Sequence, residues 1–297
     1  MKKIKELIIN FINGFCMALA DSVPGVSGGT VAFILGFYDN FINALDDIFR
    51  GNWEAKKKAF IYLIKIGVGW AVGFLLAAIA LSNLFNTRIY EMSSVFLGFI
   101  IFAIPLVIKE EKESFKGKYK NIFFAILGIA LVVGIAILSR NVGIDINLQS
   151  LNIGTIAYIF VVAMIAISAM ILPGISGSTM LLIFGIYIPI MNNIKAFLHL
   201  DFSVLPSLIT FGLGMIVGIM LFARVARKCL EKYRSQTVYA ILGLMMGSIY
   251  SIIVGPTTLD TPKAMMDFTS FSPIFFIVGG AVIIGLELLK KFLNKKN

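Results

Sequence analysis

A Pro-Gly-x-Ser-Gly run set in strongly apolar sequence occurs twice in this chain, as Pro24-Gly25-Val26-Ser27-Gly28-Gly29-Thr30 and as Pro173-Gly174-Ile175-Ser176-Gly177-Ser178-Thr179. Proline has no backbone donor and glycine loosens the chain, so each run breaks a helix. Hydrocarbon offers the freed amides no partner, and such a break survives only beside protein or a polar cavity. Paired interruptions at corresponding positions of two halves point to a transporter's binding site. The setting is a membrane: 297 residues that are 59% hydrophobic and 14% charged, with mean hydropathy +0.93, are too apolar for a water-soluble domain of this length. Apolar runs close to the roughly 20 residues of a bilayer crossing recur from end to end. No sizeable soluble or enzymatic module is expected beside them.

Aligning Pro24 with Pro173 also matches Gly36 with Gly185, Tyr38 with Tyr187 and Asn43 with Asn192. After a four-residue gap the match continues through Gly67, Gly69 and Gly73 against Gly212, Gly214 and Gly218, and Leu97-Gly98 against Leu242-Gly243. The chain therefore reads as two repeats, residues 1–140 and 150–297, each a broken hairpin (7–45 and 155–195) followed by three crossings. The crossings are expected at 59–81, 93–108 and 121–138, then at 205–223, 238–254 and 273–292. The hairpin arms Leu7 to Ala20 and Val31 to Leu45 are too short to cross, which predicts re-entrant hairpins. With that topology the lysine and arginine runs at the N-terminus, at 50–58, 109–120, 224–234 and the C-terminus share one face. Only Arg88, Arg140, Lys195 and Lys263 fall in loops on the other, as the positive-inside rule requires when both termini are cytoplasmic. The net charge of +10 is thus topology rather than a nucleic-acid surface. The predicted architecture is an all-α polytopic membrane protein, an inverted repeat of six full transmembrane helices and two opposed re-entrant hairpins.

At each tip the chain resumes as a helix, whose first turn carries unpaired N–H groups and the positive end of the helix dipole. With the hydroxyls of Ser27, Thr30, Ser176, Ser178 and Thr179 and the close approach allowed by Gly28, Gly29 and Gly177, this chemistry suits an anionic group such as a phosphate. Pro24, Gly25, Pro173 and Gly174 break the hairpins. A plain kink, with Ser and Thr capping its broken ends, is the bland alternative. Asp21 stands three residues before Pro24 and its counterpart is Met170; a carboxylate at that depth either couples or gates transport, or braces the hairpin. Lys65 is expected to snorkel to the surface, and the cluster beginning at Arg224 to serve topology and anionic lipid. Asp46, Asp47, Glu110, Glu111 and Glu113 read as solvated loop charge. Cys16 and Cys229 read as free thiols, and the single histidine, His199, has no neighbours in sequence for a zinc site. No metal or cofactor is expected.

The strings from Ala20 to Thr30 and from Leu172 to Thr179 resemble the domain-of-unknown-function 368 membrane family, and the resemblance covers essentially the whole chain. It implies a flippase of the bacterial cytoplasmic membrane that returns undecaprenyl phosphate, the lipid carrier of cell-wall synthesis, from the outer to the inner leaflet. It further implies that Ser27, Gly28, Gly29 and Thr30, with Ser176, Gly177, Ser178 and Thr179, receive the phosphate while the polyprenyl tail lies in a lateral groove. Partners would be that lipid and the bilayer, and a homo-oligomer is compatible with both. The rival is a polyprenyl-pyrophosphate phosphatase, which shares inverted repeats and a Pro-Gly-x-Ser-Arg-Ser motif. Gly28 and Gly177 stand here at the arginine position, and no Glu-x-x-x-Glu lies in any membrane segment.

Overall fold

An apolar run in lipid can satisfy its backbone within its own segment only as a helix, and among the described residues helices are the only regular elements. The computed structural model describes residues 2–21, 27–141, 152–258 and 262–295. In chain order its α-helices are α1 (Lys2–Asp21), α2 (Gly28–Ile34), α3 (Tyr38–Arg50), α4 (Trp53–Thr87), α5 (Ile89–Glu110), α6 (Lys112–Phe115) and α7 (Ile122–Asn141). There follow α8 (Ile153–Ile171), α9 (Gly177–Ile183), α10 (Tyr187–Leu198), α11 (Leu205–Lys232), α12 (Arg234–Val254) and α13 (Pro273–Lys295).

Among the described residues six stretches are long and apolar enough to cross a bilayer: Trp53–Ala77, Ile89–Glu110, Tyr119–Leu138, Ile153–Ile171, Phe202–Lys232 and Arg234–Thr257. The chain is a multi-pass membrane protein. Five of the six are expected crossings. The other, Ile153–Ile171, is the lead-in assigned above to a hairpin arm; Asn152 caps its start by accepting the Thr155 N–H at 2.8 Å, which brings the helix to 19 residues. The first arm is longer than its apolar run too, because the polar residues from Lys2 to Glu6 continue the helix and bring α1 to 20 residues. The last expected crossing, α13, contributes the shorter apolar stretch Pro273–Gly285.

The returning arm of each hairpin is not one helix but two. Gly36 (φ 71°) and Gly185 (φ 67°) adopt the left-handed conformation that ends a helix, and the bonds Phe37 N–H to the Ala32 carbonyl and Ile186 N–H to the Leu181 carbonyl, both 3.0 Å, close the same cap. This is the physical content of the Gly36–Gly185 match.

Close-approach glycines set the packing. Gly69 lies against Phe11 and Gly73 against Phe15, so α1 and α4 run side by side in the same direction; Gly214 against Phe160 and Gly218 against Met164 do the same for α11 and α8. Likewise α13 runs along α5: the Ser272 N–H donates to Ser94 Oγ (3.0 Å), and one turn on Gly98 faces Phe276. In the matching pair α12 runs along α7, where Asn121 Nδ2 donates to Ser235 Oγ (2.8 Å), Gly243 faces Ala125 and Gly247 faces Ile129. Side chains as small as hydrogen let these backbones touch where no water is available to drive association.

The core sits where α2, α3, α5 and α12 meet, with Val31, Ile42, Ile100, Met245 and Ile252 almost wholly enclosed. Within its apolar stretch 61% of α12 is buried, against 17% for the stretch containing α7, so α12 is central and α7 peripheral. Exposed apolar side chains such as Phe60, Ile64, Val68 and Leu75 on α4, and Ile126 and Leu131 on α7, face outward as lipid contact demands.

Candidate functional site

The two tips touch. Ser27, extended at φ −126° and ψ 135°, is the N-cap of α2, and its Oγ accepts the Gly29 N–H at 3.1 Å. The same hydroxyl lies 3.2 Å from the Met170 carbonyl and 3.0 Å from that of Leu172, so its proton serves the carbonyls left open where α8 ends. Thr30 Oγ1, one turn on, accepts the Gly174 N–H at 2.7 Å. Ser27 and Thr30 are each only 1% exposed. Gly29 lies on the Ile171 carbonyl with no room for a side chain. The hydroxyls of the first tip are therefore spent on the backbone of the second.

Two further backbone donors of the first tip are also engaged. The Gly28 N–H donates to Asp21 Oδ1 at 2.7 Å, and the Thr30 N–H to the Ser27 carbonyl at 3.0 Å. Asp21 is held from its other side by the Trp70 indole N–H, which donates to Oδ2 at 3.0 Å. Trp70 escaped the sequence reading: it lies 49 residues from Asp21, inside a span where a tryptophan has no distinguishing neighbour. Pro24 and Gly25 lie outside the described residues.

The second tip is different. Gly174 takes φ 88°, open only to glycine without strain, and presses on the Leu244 carbonyl of α12. After it, Ser176 Oγ and Ser178 Oγ lie 2.9 Å apart and bond to each other. The first backbone bond of α9 is Met180 N–H to the Ser176 carbonyl at 3.3 Å. Among the described residues the N–H groups ahead of it, on Gly177, Ser178 and Thr179, find no acceptor. Ser176, Gly177 and Ser178 line a cavity of about 200 Å³, together with Asp21, Trp70 and Met170. Met170, where the first half has Asp21, lies against Gly177 and offers no acceptor.

Three of the carboxylates read as solvated, Asp46, Asp47 and Glu111, are paired. The Arg227 guanidinium of α11 donates to Asp47 Oδ1 at 2.6 Å, Asp46 Oδ2 at 3.2 Å and Glu231 Oε1 at 3.0 Å, and Asp46 is only 8% exposed. Arg234, at the start of α12, binds Asp39 Oδ2 at 2.6 Å and also Glu111. Packing of α3 on α11, invisible in the sequence, brings Asp46 and Asp47 to Arg227, and packing of α12 on α5 and α6 brings Arg234 to Glu111. Lys65, expected to snorkel to the surface, donates to the exposed Glu6 Oε1 at 2.8 Å. His199 is exposed, Cys16 and Cys229 are free thiols, and among the described residues no group of three or more His, Cys, Asp or Glu side chains could hold a metal ion.

Comparison with known proteins gives the chain its relatives. The family model described as undecaprenyl phosphate translocase-like matches residues 17–269. A Staphylococcus aureus protein named polyprenyl-phosphate transporter is 34% identical over 284 residues, covering 94% of this chain and 95% of that one. A Vibrio cholerae protein of the same name is 30% identical over 268 residues, covering 87% of this chain and 81% of that one. No solved structure matches. With the family model spanning both tips and relatives aligned along almost the full length, the chain belongs to the undecaprenyl phosphate translocase-like family.

Proposed function

We propose that this protein is a transporter that returns a polyprenyl phosphate, undecaprenyl phosphate in the first instance, from the outer to the inner leaflet of the bacterial cytoplasmic membrane. The observation that carries this reading is similarity at 34% and 30% identity, over most of each chain, to two proteins named polyprenyl-phosphate transporter. The chemistry asked of the site is binding and release, with no bond made or broken.

Both termini are cytoplasmic in this reading, because that places nearly all loop lysines and arginines on one side. Inversion of the second half is supported by helix direction. α12 runs with α7, and α7 returns from α5 through the turn at 111–121, so α12 runs opposite to α5, its match in sequence. The hairpins then enter from opposite faces and meet at their tips.

In the described state the phosphate belongs at the second tip, where Ser176 and Ser178 hydroxyls and the N–H groups of Gly177, Ser178 and Thr179 replace part of its water shell. At the first tip, Gly28 and Gly29, with Ser27 and Thr30, receive it once Asp21 has left the Gly28 amide and the two tips have parted. Asp21 thus acts as the gate between the tips, and the lipid tail stays in hydrocarbon throughout. Rocking of one half against the other, breaking the Arg227 and Arg234 ion pairs to α3, alternates access.

The test is a leaflet-resolved measurement of undecaprenyl phosphate in proteoliposomes containing the purified protein. The outer-leaflet pool is expected to fall against protein-free vesicles. Release of inorganic phosphate from undecaprenyl pyrophosphate, with no movement of the monophosphate, would replace the transporter by a phosphatase.

A further inference from the structure

The glycines of α4 fall into two kinds. Gly69 and Gly73 are required by packing, since α1 lies directly on them. Gly67 is not: a β-carbon there would meet no heavy atom within 4 Å, and the residue is exposed although Gly69, two positions on, is buried. Glycine inside a helix is less favourable than alanine. Helix contacts do not account for it at this position.

What Gly67 does border is a second, half-open cavity of about 200 Å³, lined by residues of α1, α2, α3, α4, α8 and α11. Phe41, Leu45, Leu63, Ile66 and Ile219 form much of its wall, and among the described residues Asp21 is its only ionisable lining residue. Four residues, Asp21, Trp70, Ile167 and Met170, line this cavity and the hydroxyl-bearing one alike. One chamber is thus suited to a phosphate, and its neighbour across the Asp21–Trp70 bond to hydrocarbon. An amphiphile with a small anionic head and a long apolar chain matches that pairing.

We propose that the apolar chamber holds the phosphate-proximal isoprene units of the polyprenyl phosphate, and that Gly67 sets the width open to them. This rests on the transporter reading above and adds to it a tail site and a specificity-determining residue. A β-carbon at Gly67 meets no helix neighbour and the residue borders the chamber, so added bulk there is expected to narrow the chamber while leaving the fold in place. Chains of unbranched, slimmer cross-section tolerate the narrowing better than methyl-branched isoprenoids.

The experiment compares wild-type protein, Gly67→Ala, Gly67→Leu and Gly134→Leu in the same undecaprenyl phosphate transport assay. Gly134, on α7, also has open space at its β-carbon and lines neither cavity, so it controls for added bulk. Expected are near-normal rates for Gly134→Leu, a loss of about twofold for Gly67→Ala and of about tenfold or more for Gly67→Leu, as overfilling a shaped site demands. A second measurement uses wild-type protein and undecaprenyl phosphate carrying a photoreactive diazirine on its first isoprene unit. Adducts are expected within residues 63–70 and at Ile219, competed by unlabelled undecaprenyl phosphate, and this decides the matter should Gly67→Leu not fold. Wild-type rates in folded Gly67→Leu, or adducts confined to the outer faces of α4 and α7, would overturn the tail site while leaving the transporter reading intact. A wild-type protein that moves no lipid would instead overturn the transporter reading itself.

Discussion

The two tips share a motif but differ in how their donors are used. At the first, Ser27 and Thr30 are bonded to the backbone of the second tip, and the Gly28 N–H is occupied by Asp21. At the second, Ser176 and Ser178 bond to each other on a cavity wall, and Met170 stands where the carboxylate would be. A single exchange, aspartate for methionine, goes with the Gly28 amide being filled by the protein and the Gly177 amide finding no acceptor among the described residues. The two motifs are close in sequence, yet Ser27 and Ser176 end with different partners, and the exchange of Asp21 for Met170 lies outside the motif.

That contrast can be broken in steps. The largest effect is expected where the tips are joined: the double variant Ser27→Ala, Thr30→Val leaves the Gly174 N–H and the end of α8 buried without partners. At about 1–3 kcal/mol for each orphaned buried group, it should lose about 3 kcal/mol of stability, read as a lowered midpoint of thermal unfolding in detergent. Next, Met170→Asp gives the second tip its own carboxylate beside Gly177, the mirror of Asp21 beside Gly28. Transport should fall about 100-fold by occupation of the open amides and repulsion of a phosphate, with folded yield retained. Should Met170→Asp transport normally, the difference between the tips has no functional meaning. Replacing Ser176 and Ser178 together by alanine removes two hydroxyls but leaves the backbone donors, so transport is expected to drop about tenfold with little change in thermal midpoint. The smallest effect belongs to an asymmetry away from the tips. Lys65, whose match in the second half is Thr210, makes a partly exposed pair with Glu6, and Lys65→Thr should shift stability by less than about 0.5 kcal/mol. A larger loss would mean that this pair, rather than the tips, distinguishes the halves.

Much of the helical order was legible because it follows from backbone chemistry that repeats in the chain. The matched glycines illustrate this. Gly36 and Gly185 end helices in one conformation, and Gly69 with Gly214 and Gly73 with Gly218 sit under neighbouring helices in equivalent places. Arm length was less legible, since the polar residues from Lys2 to Glu6 and the cap at Asn152 lengthen α1 and α8 beyond their apolar runs. The pairing of charges was not legible at all. Asp46 and Asp47 lie about half a chain from Arg227, and only the packing of α3 on α11 makes them partners. Trp70 belongs to the same class, as a donor to Asp21 that no local pattern marks.

The sequence by itself determined that the chain lives in a bilayer, that it is helical, where its helices break, and which residue types gather at the breaks. These follow from hydropathy, from the missing proline donor and from glycine's freedom, all of them local properties. Only the tertiary structure decided which donors at the breaks remain free. A hydrogen bond such as Thr30 to Gly174, or Trp70 to Asp21, joins residues far apart in the chain, and its existence depends on how the hairpins meet rather than on what either one contains.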